Sequence, residues 1–354
     1  MLGVRIVIVM TRARRSALLA LPAAAVLALT ACGSSDAPAG GAATDGDGGA
    51  APLQVAASFY PLQWVTQAVA GDRADVTSLT QPGTEPHDLE LSPQEVATAV
   101  DADVLVTLQG FQGAVDAAAD ERGGEGVVDV APAADLEPSP GTPPGEDAAE
   151  DDHEHEEGHD HEGEDHEGED HEGEEGHDHG LEEDPHFWLD PVRMSSVAEA
   201  VADGLADADP DGADVYAANL ADVRAELADL DAEYSEGLAT CDSRDLVTAH
   251  QAFGYLAERY DLVQRGVSGI GGEQEPGAAR LAEVAQFAEA NGVRTIYTET
   301  LLPADVAETV AAETGATTAV LDTLEGLTDE SPGDDYPSVM RADLETLRQG
   351  QGCS

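Results

Sequence analysis

The run 214–238, DVYAANLADVRAELADLDAEYSEGL, decides the architecture that the sequence predicts. Its apolar side chains recur at helical spacing, namely Val215, Leu220, Val223, Leu227, Leu230, Tyr234 and Leu238. About 25 residues at the rise of an α-helix span about 37 Å, which is long for a helix of a globular protein. We therefore expect this run to be a rigid rod that joins two folded lobes.

Short apolar segments and helical segments alternate on both sides of the rod, which predicts two α/β units with mainly parallel sheets. The predicted strands are 53–58, 76–80, 104–108 and 127–130 before the rod, and 245–249, 262–267, 294–298 and 318–321 after it. The predicted helices are 62–70, 93–102, 111–121 and 191–206 before it, and 252–260, 278–290, 304–314 and 339–349 after it. The predicted fold class is α/β, with two α/β lobes joined by a long rigid helix.

The N-terminus has the features of a lipoprotein signal peptide. A basic segment at 11–15 precedes an apolar core at 17–29, and the stretch LTAC at 29–32 is typical of a cleavage site followed by a cysteine. The apolar core is short for a membrane-spanning helix, although an uncleaved anchor with an incidental cysteine is the alternative. We expect cleavage before Cys32, lipidation of that cysteine, and an extracytoplasmic protein anchored to the outer face of the cell membrane.

Two further cysteines, Cys241 and Cys353, remain after the predicted cleavage. In an oxidising compartment such a pair predicts a disulfide. Two free thiols or a metal site are the alternatives, and neither cysteine has a cysteine or histidine close to it in the sequence. The bridge would tie the C-terminus to the start of the last lobe and contribute about 2–5 kcal/mol to the free energy of unfolding.

The composition is strongly acidic. The 354 residues contain no lysine, and the formal net charge is -58. The length allows two domains of ordinary size. The charge excludes nucleic acid as a partner, because phosphate binding needs a basic surface. An acidic field attracts cations, although solubility or genome composition would produce the same bias.

Residues 132–184 interrupt the α/β pattern. The segment has no arginine, contains 22 acidic residues between 146 and 184, and holds eight of the eleven histidines: His153, His155, His159, His161, His166, His171, His177 and His179. A segment this polar cannot bury enough apolar area to fold alone, so it predicts a disordered insertion. Closely spaced histidines among carboxylates favour weak, reversible binding of several divalent ions, and a solvated spacer is the alternative.

These features predict the organisation of the whole chain. The segments are a signal peptide at 1–31, a flexible tether at 32–51, an N-terminal α/β lobe at 52–190 that includes the insertion 132–184, linker helices at 191–240 and a C-terminal α/β lobe at 241–354.

Three histidines lie outside the insertion: His87, His186 and His250. Each occurs in a short polar motif where a strand ends or a loop closes, and Asp322 ends a later strand. Ligands of open parallel sheets bind beyond the carboxyl ends of the strands. A single histidine is more often structural, but all three share this placement. Three imidazoles and one carboxylate suit a tetrahedral divalent ion, Zn(II) above all.

The motifs around these histidines resemble the ZnuA/TroA-like solute-binding lipoproteins of ABC metal importers, in particular the zinc-type members of cluster A-I. The stretches are TEPHDLELSP at 84–93, DPHFWLDP at 184–191 and TAHQAFGY at 248–255, and the resemblance extends from about residue 53 to the C-terminus.

The resemblance implies a C-shaped clamp of two lobes, with Zn(II) in the inter-lobe cleft and His87, His186, His250 and Asp322 as its ligands. It implies an extracytoplasmic zinc-binding receptor that captures Zn(II) and delivers it to an ABC permease and its ATPase for import. We expect a monomer attached to the membrane through its lipid anchor.

The choice of metal depends on position 250. Manganese members of the resembled family have a carboxylate where His250 stands, and an imidazole there favours zinc. Asp322 lies in LDTL at 321–324, which departs from the usual Asp-Pro pattern, and Glu299 is the competing carboxylate. Glu85 or Asp88 is expected to accept a hydrogen bond from the free ring nitrogen of a ligand.

Three other functions compete with the receptor. A zinc hydrolase would keep an open position for water, and the sequence has no HExxH motif, so we expect no enzymatic activity and no catalytic residues. A receptor for manganese or another divalent metal is the second alternative. A metal-buffering surface adhesin, in which the insertion is the main site, is the third.

Overall fold

The first lobe contains a four-stranded parallel sheet in the order β2-β1-β3-β4. The computed structural model describes residues 51–138, 183–272 and 276–354. The strands are β1 Leu53–Ala57, β2 Ala74–Ser78, β3 Val104–Thr107 and β4 Val127–Asp129, and the helices are α1 Tyr60–Ala70, α2 Pro93–Asp101, α3 Gly113–Glu121 and α4 Ala131–Ala134. All four residues of β3 are buried, as expected for an apolar strand covered by helices on both faces of a parallel sheet.

Two long helices follow the first lobe. Helix α5, Pro191–Ala208, is capped at its N-terminus by Asp190, whose side chain accepts a hydrogen bond from Val192 N. It packs against α1, β3 and β4. Helix α6, Ala213–Gly237, packs along both α1 and α5. Helix α5 therefore contributes to the core of the first lobe, and α6 leads on to the second.

The second lobe repeats the same arrangement of strands, in the order β6-β5-β7-β8 with all pairs parallel. Its strands are β5 Asp245–Thr248, β6 Val263–Gly266, β7 Thr295–Thr298 and β8 Thr317–Val320, and its helices are α7 Gly254–Arg259, α8 Ala278–Asn291, α9 Asp305–Thr314 and α10 Tyr336–Gln351. In both lobes the carboxyl ends of the parallel strands lie at one edge of the sheet, where the connecting loops can carry functional side chains.

The lobes are held together by a shared apolar core and by buried hydrogen bonds. One core cluster contains residues of both lobes, such as Leu62 and Leu347. On α6, the Tyr234 hydroxyl donates to Met340 O of α10 at 2.6 Å. The Trp188 indole donates to Thr323 O at 2.8 Å, and the Tyr336 hydroxyl donates to Trp188 O at 2.5 Å. Residues 50–354 accordingly form one compact unit.

The predicted disulfide between Cys241 and Cys353 is confirmed. It joins the segment after α6 to the residues after α10, and Asp242 N donates to Gln351 O at 3.1 Å beside it. The bridge therefore ties the end of the chain to the beginning of the second lobe.

The predicted fold class is confirmed, and the structure contains every predicted strand and helix with small shifts of their ends. Helix α10 begins at Tyr336 instead of 339, because Asp335 and Ser338 form a capping box in which Ser338 N donates to Asp335 Oδ1 at 2.9 Å.

Ordered structure also extends into both ends of the range 132–184 that the sequence predicts as an insertion. Helix α4 occupies the first end, and Asp184 is buried at the other, where its N donates to Glu137 O at 2.9 Å. The signal peptide, Cys32 and the eight histidines of the insertion lie outside the described residues. Among the helices of the described residues, none has the length and hydropathy that a membrane span requires.

Candidate metal centre

Four side chains converge between the two lobes: His87, His186, His250 and Glu325. One nitrogen or oxygen atom from each lies within 4.8 Å of the others. The first two side chains come from the N-terminal lobe, and the last two come from the C-terminal lobe. Among the residues that the structure describes, these four side chains form a group that could hold a metal ion.

His87 lies in the loop between β2 and α2. Glu85 shapes this loop, because its Oε2 accepts hydrogen bonds from His87 N at 2.9 Å and Asp88 N at 3.4 Å. The imidazole packs edge-on against Phe111, with 4.8 Å between the ring centroids. Its side chain is 9% exposed, so His87 is the ligand candidate that lies nearest to solvent.

His186 lies just before a short helical turn, Phe187–Leu189, and is completely buried. Asp184 Oδ1 accepts a hydrogen bond from His186 N at 2.9 Å and lies 2.7 Å from Nδ1. The Tyr255 hydroxyl of the second lobe donates to Asp184 O at 2.7 Å. These contacts hold the ring so that Nε2 points towards the other candidates.

His250 follows β5, and Glu299 follows the neighbouring strand β7. Glu299 Oε1 lies 2.7 Å from His250 Nδ1, so the carboxylate orients this ring as Asp184 orients His186. His250 Nε2 is buried and makes no hydrogen bond within the described residues. A buried ring nitrogen that faces the group without a hydrogen bond is suited to bind a metal ion, since an unpaired polar atom is otherwise costly to bury.

Glu325 lies in the loop between β8 and α10 and is 1% exposed. Its Oε1 is 3.0 Å from His186 Nε2, 3.3 Å from His87 Nε2 and 3.7 Å from His250 Nε2. Its Oε2 accepts a hydrogen bond from the Thr323 hydroxyl at 3.0 Å. One carboxylate oxygen therefore faces all three imidazoles while the other is held by the loop.

The charges of the group depend on these contacts. Burial alone would lower the pKa of His186 and of His250, but Asp184, Glu299 and Glu325 outweigh it and raise both pKa values. For His87 burial prevails and its pKa is lowered. Burial would raise the pKa of Glu325, but the hydrogen bonds and charges of the surrounding histidines hold it well below its usual value. A divalent cation at this site would therefore compete with protons for His186 and His250.

The structure thus brings together the three predicted histidines and does not place Asp322 with them. Asp322 is fully buried, but its Oδ1 accepts a hydrogen bond from Leu324 N at 2.8 Å and faces its own turn. Glu325, three residues later, takes the position expected for Asp322. The loop after β8 contains a turn at Leu324, where φ is 58°. The sequence pattern identifies the end of the strand, but it does not show whether Asp322 or Glu325 faces the imidazoles.

For His186 and His250 the structure shows which carboxylates accept from the second ring nitrogen, and these are not Glu85 or Asp88. Glu85 binds backbone N–H groups, and its Oε1 is 3.9 Å from His87 Nε2. The acceptors of the second ring nitrogen are Asp184 for His186 and Glu299 for His250. Glu299 is therefore placed beside the group, as the carboxylate that orients an imidazole. The proximity of Asp184 in the sequence to His186 is a signal that could have identified it.

Three imidazole nitrogens and one carboxylate oxygen form a donor set that suits zinc. Zinc takes four ligands of this kind in tetrahedral geometry, whereas manganese and magnesium favour more oxygens and higher coordination numbers. The carboxylates on the outer ring nitrogens are typical of metal-binding histidines.

Comparison with known proteins supports this chemistry. The family model described as ZnuA, zinc-uptake complex component A, periplasmic, matches residues 55–350. The high-affinity zinc uptake system protein ZnuA of Bacillus subtilis is 34% identical over 331 residues, which cover 92% of this chain and 94% of that protein.

The zinc-binding lipoprotein AdcA of Streptococcus pneumoniae is 37% identical over 300 residues, which cover 84% of this chain and 55% of AdcA. The chain thus spans about half the length of the AdcA relatives that it matches. The crystal structure of the Zn(II)-bound ZnuA-like domain of AdcA matches 85% of this chain and 99% of that domain, with 32% identity and a TM-score of 0.64.

Proposed function

The chain belongs to the ZnuA family of periplasmic zinc-uptake components, and from this premise we propose that it is an extracytoplasmic receptor that binds Zn(II) and delivers it to an ABC permease and its ATPase. It acts as a monomer. The ion is the cargo of this protein, and the site between the lobes carries it.

The observation that carries the proposal is the convergence of four ligand atoms from both lobes within 4.8 Å. His87, His186 and His250 provide Nε2 atoms, and Glu325 provides Oε1 in place of the predicted Asp322. The raised pKa values of His186 and His250 and the ionised Glu325 describe a site that exchanges protons for a divalent cation.

The same geometry favours a receptor over a hydrolase. Four protein ligand atoms complete a tetrahedral zinc site, whereas a catalytic zinc keeps one position open for water. The family of zinc-uptake components also favours import over adhesion, and the three nitrogen ligands favour zinc over manganese.

Zinc binding to the full chain tests the proposal directly. Native mass spectrometry and competitive chelator titration are expected to show one tightly bound Zn(II) per chain, with and without residues 146–182. The deletion ends before Asp184, because Asp184 orients His186. Additional ions bound by the histidine-rich segment are expected to be weak and to disappear with it.

His186→Ala is expected to lower the affinity of the tight site by at least about 100-fold, since four ligands together contribute about 10–16 kcal/mol in small zinc domains. The matched control is His177→Ala, which replaces a histidine of the segment 146–182 and should leave the zinc affinity of the tight site unchanged. If tight binding is lost with the segment while the circular dichroism spectrum is unchanged, the site between the lobes is not the zinc site.

We also propose that Cys32 carries the lipid anchor. The motif LTAC at 29–32 supports this proposal, as does the description of the related AdcA as a lipoprotein. Cys32→Ala should release the protein from the membrane fraction, and metabolic labelling with a fatty acid should no longer label it. Retention of the variant on membranes would contradict the proposal.

A further inference from the structure

Asp322 is fully buried three residues before Glu325, yet it is outside the group of four ligand candidates. Its Oδ1 accepts a hydrogen bond from Leu324 N at 2.8 Å. Short acidic side chains form such contacts with the backbone two residues later and thereby close tight turns. One oxygen of the Asp322 carboxylate, Oδ1, is therefore engaged with the turn that leads to Glu325.

This turn contains an unfavourable backbone conformation. Leu324 has a φ of 58°, in the left-handed region that residues with a Cβ rarely adopt. Leu324 is also fully buried in the core that both lobes share. A conformation of this kind persists only where the surrounding contacts hold it, and the hydrogen bond from Leu324 N to Asp322 is such a contact.

Glu325 follows this turn directly, and the residues of the turn make contacts with Glu325, with the other lobe and with α10. Thr323 lies between the two acids, and its carbonyl accepts the hydrogen bond of the Trp188 indole from the other lobe. Its hydroxyl donates to Glu325 Oε2 at 3.0 Å, which leaves Oε1 directed at the three imidazoles. The turn is also attached to α10, because Asp322 N donates to Asp343 Oδ1 at 3.0 Å.

We propose that Asp322 is a positioning residue: it closes the turn at Leu324 and thereby holds Glu325 Oε1 in the zinc site. The inference rests on the proposed function, because Glu325 is the zinc ligand through which Asp322 acts. This role differs from direct binding of the metal, which the sequence predicts for Asp322. It also differs from a purely structural role, in which Asp322 would affect stability alone.

Two substitutions of Asp322 separate these roles. Asp322→Asn keeps an oxygen that accepts from Leu324 N, but its neutral amide is a poor replacement for a carboxylate ligand of zinc. Asp322→Ala removes the acceptor altogether. A positioning residue predicts that zinc affinity falls about 10- to 100-fold in Asp322→Ala, and that Asp322→Asn stays close to the unsubstituted chain. A direct ligand predicts similar losses in both variants.

A double-mutant cycle with Glu325→Ala tests whether Asp322 acts through Glu325. The full chain and the variants Asp322→Ala, Glu325→Ala and their combination are titrated with Zn(II) against a competing chelator, and thermal melts of the apo proteins are recorded. Asp322→Ala should weaken zinc binding no further once Glu325 is absent. Asp322→Asn supplies the folded comparison if the alanine variant is unstable.

The inference is overturned if Asp322→Asn loses as much affinity as Asp322→Ala, or if the losses of the two alanine variants are additive. It is also overturned if Asp322→Ala lowers the melting temperature and leaves zinc affinity unchanged. Absence of tight zinc binding in the unsubstituted chain would instead contradict the proposed function, so the two failures are distinguishable.

Discussion

The two lobes have the same sheet topology but contribute differently to the metal centre. In each lobe four parallel strands follow the same order, with the first strand of the lobe in an inner position. The N-terminal lobe places two imidazoles at its edge, His87 and His186. The C-terminal lobe places one imidazole and one carboxylate there, His250 and Glu325. The two lobes therefore share a sheet topology, and the connecting segments of each lobe determine which side chains it contributes to the group.

The lobes also differ in the burial of one ligand candidate. His186, His250 and Glu325 are all nearly inaccessible to solvent, whereas His87 in the N-terminal lobe retains 9% exposure on its loop. Neither lobe presents more than two of the four ligand atoms. An ion held by all four would therefore depend on the contacts that hold the lobes together, such as the Trp188 indole on Thr323 O.

The largest expected difference between the lobes concerns the disulfide. Cys241 and Cys353, 112 residues apart, enclose the C-terminal lobe, and no cysteine lies between residues 52 and 190. Replacing both by serine should lower the free energy of unfolding by about 2–5 kcal/mol. Zinc affinity should stay unchanged, because neither cysteine belongs to the metal centre.

Denaturant unfolding measures this effect and also tests the coupling of the lobes. Both tryptophans, Trp64 and Trp188, belong to the N-terminal lobe and touch Tyr336 of the C-terminal lobe, so their fluorescence reports on the N-terminal lobe and on its contact with the other, while circular dichroism reports on both lobes. The shared core predicts that the two transitions coincide in the native protein. Separate transitions would show that the lobes unfold independently.

Replacing a histidine ligand candidate by glutamate, once in each lobe, should give the next largest effect, a loss of zinc affinity. His250→Glu removes a nitrogen ligand and should lower zinc affinity by about 3 kcal/mol, judged from the 10–16 kcal/mol that small zinc domains obtain from four ligands. It should also narrow the difference between zinc and manganese affinity, because manganese prefers oxygen ligands.

His87→Glu is the matched variant in the N-terminal lobe and should narrow that difference as well. The melting temperatures of the apo proteins should differ, because both variants add a carboxylate near Glu325, but at position 250 the new carboxylate also lies beside the buried Glu299, whereas position 87 is closer to solvent. Chelator titrations with both metals and thermal melts measure the two effects. Unchanged zinc affinity in a folded His250→Glu protein would remove His250 from the site.

A smaller effect is expected from the carboxylates that orient the rings. Glu299→Ala and Asp184→Ala should each lower zinc affinity about 10- to 100-fold, because the freed imidazole no longer has a fixed orientation. The loss should be larger for Asp184, since its carboxylate also accepts from His186 N. Glu299→Gln and Asp184→Asn are the conservative controls. Equal affinity of the alanine variants and the native chain would contradict an orienting role.

The pH dependence of zinc affinity gives the smallest difference between the lobes. Zinc displaces protons from histidines whose pKa values are raised, so its affinity should fall with acidification by up to about tenfold per pH unit for each proton displaced. His250, with a raised pKa, contributes to this slope, and His87, with a lowered pKa, is already neutral. His250→Gln should therefore flatten the pH dependence more than His87→Gln does.

The stability of the apo protein should rise, not fall, as the pH is lowered from neutral towards 6.5. The raised pKa values of His186 and His250 stabilise the fold below their ordinary pKa of 6.5, and this contribution is lost as pH rises through the raised values. The lowered pKa of Glu325 stabilises the fold above its ordinary 4.5 and is lost on acidification. For these groups apo stability is greatest between about pH 4.5 and 6.5, which thermal melts across pH can test.

Much of the fold follows from local patterns. The apolar positions of 214–238 predict α6, and short apolar runs predict all eight strands, because each of these elements buries a face that recurs with its own period. The three histidines outside the acidic segment could be found for a similar reason, since each follows a predicted strand or closes a loop beside a recognisable motif.

The fourth carboxylate could not be found in this way. Asp322 and Glu325 are three residues apart, and both are buried acids in one loop. Which of them faces the imidazoles depends on the left-handed conformation of Leu324 and on contacts with Trp188 and Asp343. These contacts come from distant parts of the chain, so no local pattern contains them.

The sequence by itself determined the α/β class, the two lobes, the joining helix, the disulfide and the three imidazoles, because these depend on periodicity, composition and short motifs. Only the tertiary structure decided the pairing of Asp184 and Glu299 with their rings and the position of Glu325. Hydrogen bonds between side chains depend on where the lobes bring separate loops, and that arrangement arises from packing across the whole molecule.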